Sequence, residues 1–129
     1  MQSRRGLARP LLFLSGALVG AVAALLALRH LDVVEVDGAS MLPTFLPGDR
    51  LVVESWTYAR RQPRVGELVL APDPRQPVRE LVKRVAGISD GVIELRGDAP
   101  DASTDSRAFG SVPVEHVRWR VAGRYWPPR

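Results

Sequence analysis

Cysteine is absent from the 129 residues. That absence excludes disulfides, thiol nucleophiles and thiolate metal sites together. Lysine is almost absent: of 18 basic side chains, Lys83 is the one lysine and the rest are arginine. Arginine cannot give up its proton in a protein, whereas a desolvated lysine can and then becomes a base. Aromatic residues make up 6% of the chain, and only Trp119 stands directly between two of the basic residues scattered among acids after residue 50. Nucleic-acid binding therefore lacks its usual footprint. The two histidines, His30 beside an apolar run and isolated His116, are poorly placed for a Ser-His-Asp triad.

What is present begins with residues 11–28, an uncharged run from Leu11 to Leu28. Eighteen residues in a helix reach about 27 Å, enough for a bilayer core of about 30 Å. Arg4, Arg5 and Arg9 precede the run, and Arg29 follows it. The positive-inside rule then keeps residues 1–10 cytoplasmic and carries the remainder across the bilayer. A cleaved signal peptide is the competing reading, but Leu28-Arg29-His30-Leu31-Asp32 offers no small-x-small site. A buried core helix is disfavoured by an apolar surface on every face. The basic N-terminus also suits anionic lipid.

Residues 31–129 have room for one small domain. They read as β-branched runs punctuated by Pro, Gly and Asp: Val33–Val36, Arg50–Glu54, Glu67–Ala71, Val78–Ala86, Val92–Leu95 and Val117–Val121. Turns are expected at Pro47-Gly48-Asp49, Arg64-Val65-Gly66, Ala71-Pro72-Asp73-Pro74, Ser89-Asp90-Gly91 and Gly97-Asp98-Ala99-Pro100. No stretch after residue 30 holds a helical period for three turns, so a mostly-β domain follows one N-terminal transmembrane helix. Thr57–Pro63 reads as an exposed connection. Trp56, Tyr58, Leu42, Phe45 and Leu46 are available to touch a membrane or to fill a core.

Lys83 lies in Leu81-Val82-Lys83-Arg84-Val85. Strand alternation places Leu81, Lys83 and Val85 on one face and Glu80, Val82 and Arg84 on the other. The amine thus falls on the face more suited to burial. Making it a base near neutral pH needs a shift of roughly 2–3 units, about 3–4 kcal/mol, which an apolar site can supply. The bland alternative is an edge lysine whose amine reaches water. Ser40 lies in Asp37-Gly38-Ala39-Ser40-Met41-Leu42-Pro43-Thr44. Gly38 and Pro43 make this a corner that exposes a hydroxyl and a backbone N–H. Serine with lysine is the simplest nucleophile–base pair for acyl transfer. Asp98, Asp101 and Asp105 do not match the spacing of a calcium loop, and Asp105 suits a pairing with arginine. No metal and no cofactor are expected.

Those segments in register, with Pro47-Gly48-Asp49 and the stretch Gly97-Asp98 to Val112-Pro113, resemble the type I signal peptidase family of serine–lysine proteases over residues 33–125. The resemblance implies a β-rich catalytic domain over residues 31–129, with Ser40 as nucleophile and Lys83 as general base. It implies that Ser103 orients the lysine and that Asp105 and Arg107 form a structural ion pair. The Ser40 N–H would face the oxyanion. Some members add a serine two residues before the nucleophile, where this chain has Gly38, the usual residue of another branch. Ala99 and Ala102 replace asparagines of the family pattern, and the large insertion of longer members is missing. Compactness and the Arg124-Tyr125-Trp126-Pro127 ending resemble the small branch that matures nickel-type superoxide dismutases. The implied partners are a lipid bilayer and precursor proteins with an N-terminal signal or propeptide. A self-cleaving repressor shares the dyad but needs an N-terminal DNA-binding domain or a cleavable linker, where residues 1–30 read as an anchor. A catalytically silent anchored binding module is the rival of a different class, and Ala99 and Ala102 leave room for it.

Overall fold

The structure, a computed structural model, describes residues 8–128. The chain divides between His30 and Leu31 into two compact units. Helix α1 spans Ala8–Leu28 and includes the whole apolar run, each side chain of which is exposed. It is long and apolar enough to cross a membrane. It closes with the N–H groups of Arg29 and His30 donating to the carbonyls of Leu26 and Ala27. Arg4, Arg5 and the rest of the expected cytoplasmic tail before Ala8 lie outside the described residues.

The second unit is an antiparallel sheet of seven strands. These are β1 (Leu31–Glu35), β2 (Arg50–Glu54), β3 (Leu68–Asp73), β4 (Gln76–Ser89), β5 (Val92–Arg96), β6 (Val112–Pro113) and β7 (Trp119–Trp126), in the order β1-β2-β7-β3-β4-β5-β6. Period-two alternation divides the core between the faces of β3: Leu68 and Leu70 pack with Met41, Phe45, Leu51, Val53 and Val121, while Val69 and Ala71 pack with Val85, Ile93, Leu95 and Val112. Burial on both sides explains why Leu68-Val69-Leu70-Ala71 is an unbroken apolar run. Of the residues open to a membrane or a core role, Phe45 is buried in this core and Trp56 is exposed.

Two of the departures from the sequence-based expectation have a local side-chain cause. The turn expected at 71–74 moves to Pro74-Arg75, because the Asp73 carboxylate accepts the Arg75 backbone N–H and holds its guanidinium. Strand β3 continues through Pro72, where it has β4 on one side alone and a missing N–H is tolerated. The segment expected as a plain connection forms the short helix α2 (Trp56–Arg60). Its first turn is capped by the Glu54 carboxylate, which accepts the Thr57 N–H, and Glu67 holds both Tyr58 and Arg61.

Strand β4, which carries Lys83, is paired unevenly along its length. It pairs with β3 at Gln76 and from Glu80 to Arg84, with an irregularity between, but with β5 only from Arg84 onward. Residues 76–83 therefore keep one unpaired edge. The loop from β1 to β2 is closed at its neck by Val36, whose N–H donates to the Asp49 carbonyl and whose carbonyl accepts the Gly48 N–H, both at 2.8 Å. Buried Met41 and Phe45 anchor it. Gly38 turns the chain at φ +92°, a conformation that side chains disfavour. Beyond β5, Gly97 lets two backbones meet. A Cβ there would stand 2.6 Å from the Ser40 carbonyl oxygen and closer still to the Ser103 hydroxyl.

Gly97→Ala is therefore expected to destabilise the sheet unit by about 1–3 kcal/mol through overpacking. Gly123→Ala, where nothing stands within 4 Å of an added Cβ, should change stability by less than about 0.5 kcal/mol. Thermal unfolding of the two variants beside the parent checks both. Equal melting temperatures for Gly97→Ala and the parent would show that the crossing has slack.

Candidate active site

Ser40 and Lys83 line one cleft of about 450 Å³. One wall is the chain from Val34 to Met41; another is Arg79 to Lys83 of β4, with Ala102 and Thr104 from the stretch after β5. Ser40 is held by its neighbours rather than by its own side chain. Met41 next to it is 1% exposed, and the Ser40 carbonyl accepts the Ala99 N–H at 2.9 Å. Among the described residues its N–H gives no backbone hydrogen bond.

Lys83 lies on the face that strand alternation assigns to it, opposite Val69 of β3 and two residues from buried Val85. It is 2% exposed. Its Nζ donates to the Ser103 hydroxyl at 3.0 Å, and that hydroxyl donates to the Asp105 carboxylate at 2.9 Å. Burial pushes the Lys83 amine below its ordinary value of 10.5. The Asp105 carboxylate opposes the shift, while the positive charges of Arg79, Arg107 and Arg75 add to it.

Asp105 is 1% exposed. It caps the helix α3 (Ser106–Phe109) by accepting the Arg107 N–H, and it accepts the Gly97 N–H at 2.9 Å. The Arg107 guanidinium closes on it with contacts of 3.0 and 2.8 Å. Burial alone would raise this carboxyl. The hydrogen bonds from Arg107, Gly97 and Ser103 outweigh it and hold the group well below the usual carboxylate range. A chain of polar contacts thus runs from the Lys83 amine through Ser103 to Asp105 and Arg107.

Two tethers were not anticipated from sequence. Asp98 binds the Arg84 guanidinium at 2.8 Å on both oxygens and accepts the Thr44 hydroxyl. It thereby joins the loop bearing Ser40 to the β4 residue next to Lys83. Asp49 accepts the Leu46 N–H and faces Arg124 of β7 at 3.4 Å. The signal for the first was Arg84 in the Lys-Arg pair; its partner 14 residues on could not be read from spacing. Asp98 and Asp105 are thus occupied by separate arginines. His116 is exposed on a 3-10 turn, Val114–His116, and does not line the cleft.

A buried amine with a depressed pKa carries a sign for stability. Below its folded value the proton must sit in a desolvated site, so the penalty is fully present. It is relieved as pH rises toward 10.5, where the unfolded lysine also loses its proton. Lys83→Met is expected to unfold at a higher temperature than the parent at pH 7, with the difference shrinking as pH is raised to 10.5. A difference independent of pH would show that the amine is not desolvated.

The sequence profile of the family described as signal peptidase, peptidase S26, matches residues 11–99. The match ends before Ser103 and Asp105. The chain is 32% identical to the mitochondrial ATP-independent inner membrane protease subunit 1a of Arabidopsis thaliana, over 85% of this chain and 83% of the relative. It is 30% identical to the mitochondrial inner membrane protease subunit 2 of Danio rerio, over 90% and 76%. Identity to the mitochondrial inner membrane protease subunit 1 of Homo sapiens is 30%, over 74% and 69%. With a mostly antiparallel sheet after an apolar N-terminal helix, this chain belongs to the signal peptidase S26 family of peptidases.

Proposed function

We propose that this protein is a membrane-anchored serine endopeptidase in which Ser40 is the nucleophile and Lys83 the general base. The observation that carries the reading is the shared cleft: a serine at a tight corner and a desolvated amine, aligned by Ser103, open onto the same space. Neutral Lys83 takes the Ser40 Oγ proton as Oγ attacks the scissile carbonyl carbon. The oxyanion faces the Ser40 N–H. Lys83 then gives its proton to the departing amine nitrogen as the C–N bond breaks, leaving an acyl ester on Ser40. Water, losing a proton to Lys83, hydrolyses that ester and restores the serine. Ser103, Asp105 and Arg107 act through Lys83: they position the amine and do not touch the substrate.

The peptide lies extended in the cleft, hydrogen-bonded as an added strand. The unpaired edge of β4 before Arg84 and the edge strand β1 with its continuation to Asp37 both line that space and suit this docking. The substrates are precursor proteins carrying an N-terminal signal or propeptide, and the resemblance of the chain's ending points to a nickel superoxide dismutase propeptide. Helix α1 is the anchor, with the N-terminus cytoplasmic and the sheet unit on the extracytoplasmic side. Relatives named as inner membrane proteases support a peptidase working at a membrane.

Purified protein in detergent, offered one peptide with an Ala-x-Ala end and one with the propeptide junction of a nickel superoxide dismutase precursor, tests this directly. Ser40→Ala and Lys83→Arg should reduce cleavage to the blank with the fold intact by circular dichroism, because arginine keeps its proton. Cleavage that survives Lys83→Arg would sink the dyad, and no cleavage of either peptide leaves a silent binding module. The rate should rise with pH along a limb whose midpoint lies below 10.5, the direction set by burial of Lys83. Ser103→Ala should lower kcat roughly 10- to 100-fold, leave KM nearly unchanged and move that midpoint, whereas a purely structural serine would leave the midpoint in place.

A further inference from the structure

One cation of the cleft has no carboxylate partner among the described residues. Arg79 stands four residues before Lys83 on β4, and both line the cleft. Four residues of strand put it about 13 Å from Lys83. Among the described residues of the sheet unit, Arg60, Arg64, Arg79 and Arg118 have no carboxylate within ion-pair distance. Of these, only Arg79 lines the cleft.

The acids around it are committed elsewhere or stand beyond ion-pair distance. Asp73 is held by both the backbone N–H and the guanidinium of Arg75, which also packs over Phe109. Glu80 and Asp37 also line the cleft, and neither is within ion-pair distance of Arg79. Glu35 and Asp37 belong to the other wall, and Glu35 faces Arg50 at 3.9 Å. Asp73 pairs with Arg75, whereas Arg79 reaches the cleft with no carboxylate within ion-pair distance. A peptide laid along the unpaired edge of β4 would cover that guanidinium, strengthening its attraction for a carboxylate brought with the peptide.

We propose that Arg79 is a specificity-determining residue that selects peptide substrates bearing Asp or Glu about four residues from the scissile bond. The position of the cut rests on Ser40 and Lys83 forming the proposed dyad; the docking of an acidic side chain on Arg79 does not. A contact of this kind is made equally by bound peptide and transition state, so it lowers KM and leaves kcat nearly unchanged.

The test uses the full chain in detergent and matched fluorescent peptides with Ala, Asp or Lys four residues to one side or the other of the cleavage point. Binding is measured by anisotropy to Ser40→Ala, and turnover with the active protein. On one of the two sides, the Asp peptide should bind roughly two- to fivefold more tightly than the Ala peptide. The advantage should shrink in 1 M salt, where the screening length falls to about 3 Å. Adding Arg79→Glu should reverse the order toward Lys, with circular dichroism unchanged. An Asp advantage that is missing, or that persists in Arg79→Glu, overturns the proposal. Arg79-dependent binding without turnover of any peptide would keep the docking site and remove the proteolytic reading. Turnover of all three peptides at equal KM would do the reverse.

Discussion

The structure turns on one amine kept out of water. Burying a lysine disfavours its charged form, and the apolar residues that bury it must belong to a sheet rigid enough not to admit solvent. Val69 and Val85 supply those surroundings, and both lie in the core on one side of β3. The same site needs a polar partner for the nitrogen, because an unpaired buried donor is costly. Ser103 is that partner, and its hydroxyl is in turn held by a carboxylate that Arg107 and the Gly97 N–H keep ionised. Each member is satisfied by the next, and no buried polar side-chain atom among the described residues lacks a partner.

Charge is sorted between two kinds of cation. The arginines around the site serve as fixed charges: Arg84 ties Asp98, Arg107 ties Asp105, and Arg75 ties Asp73. None of them can lose its proton, so each holds its carboxylate over the whole working range of pH. Under the proposed mechanism, the one lysine stands where a proton comes and goes. Arg107 and Arg75 also lower the lysine's hold on its proton, so these two residues serve both structural ion pairing and tuning of the amine. Arg79 differs in facing the cleft with no carboxylate of its own.

The Ser40 corner depends on contacts far apart in sequence. Gly97 allows its carbonyl and the Ser103 side chain to meet, Ala99 donates to that carbonyl, and Asp98 holds Thr44 three positions beyond Met41. Three consecutive residues after β5 thus locate a loop more than 50 residues earlier. The family pattern's asparagine positions, Ala99 and Ala102, act here through backbone groups: the Ala99 N–H bonds Ser40, and its carbonyl accepts the Ala102 N–H.

The apolar helix, the mostly-β class and the face of β4 carrying Lys83 were legible in the residues themselves. Each rests on local periodicity, an uncharged run in one case and alternation of two in the others. The strand at 50–54 has the expected limits, and the expected Asp90-Gly91 turn has both residues at positive φ, the geometry of a tight hairpin. The length of β4, the short strand β6 and helix α2 were not legible, since each is stabilised by partners distant in the chain. Sequence also could not say that Thr44, Asp98 and Arg84 would converge, or that Arg79 would face the cleft with no carboxylate of its own. Residue identity determined which groups are able to do chemistry; tertiary structure decided which of them are dehydrated and which meet, because desolvation and ion pairing depend on distance in space and not along the chain.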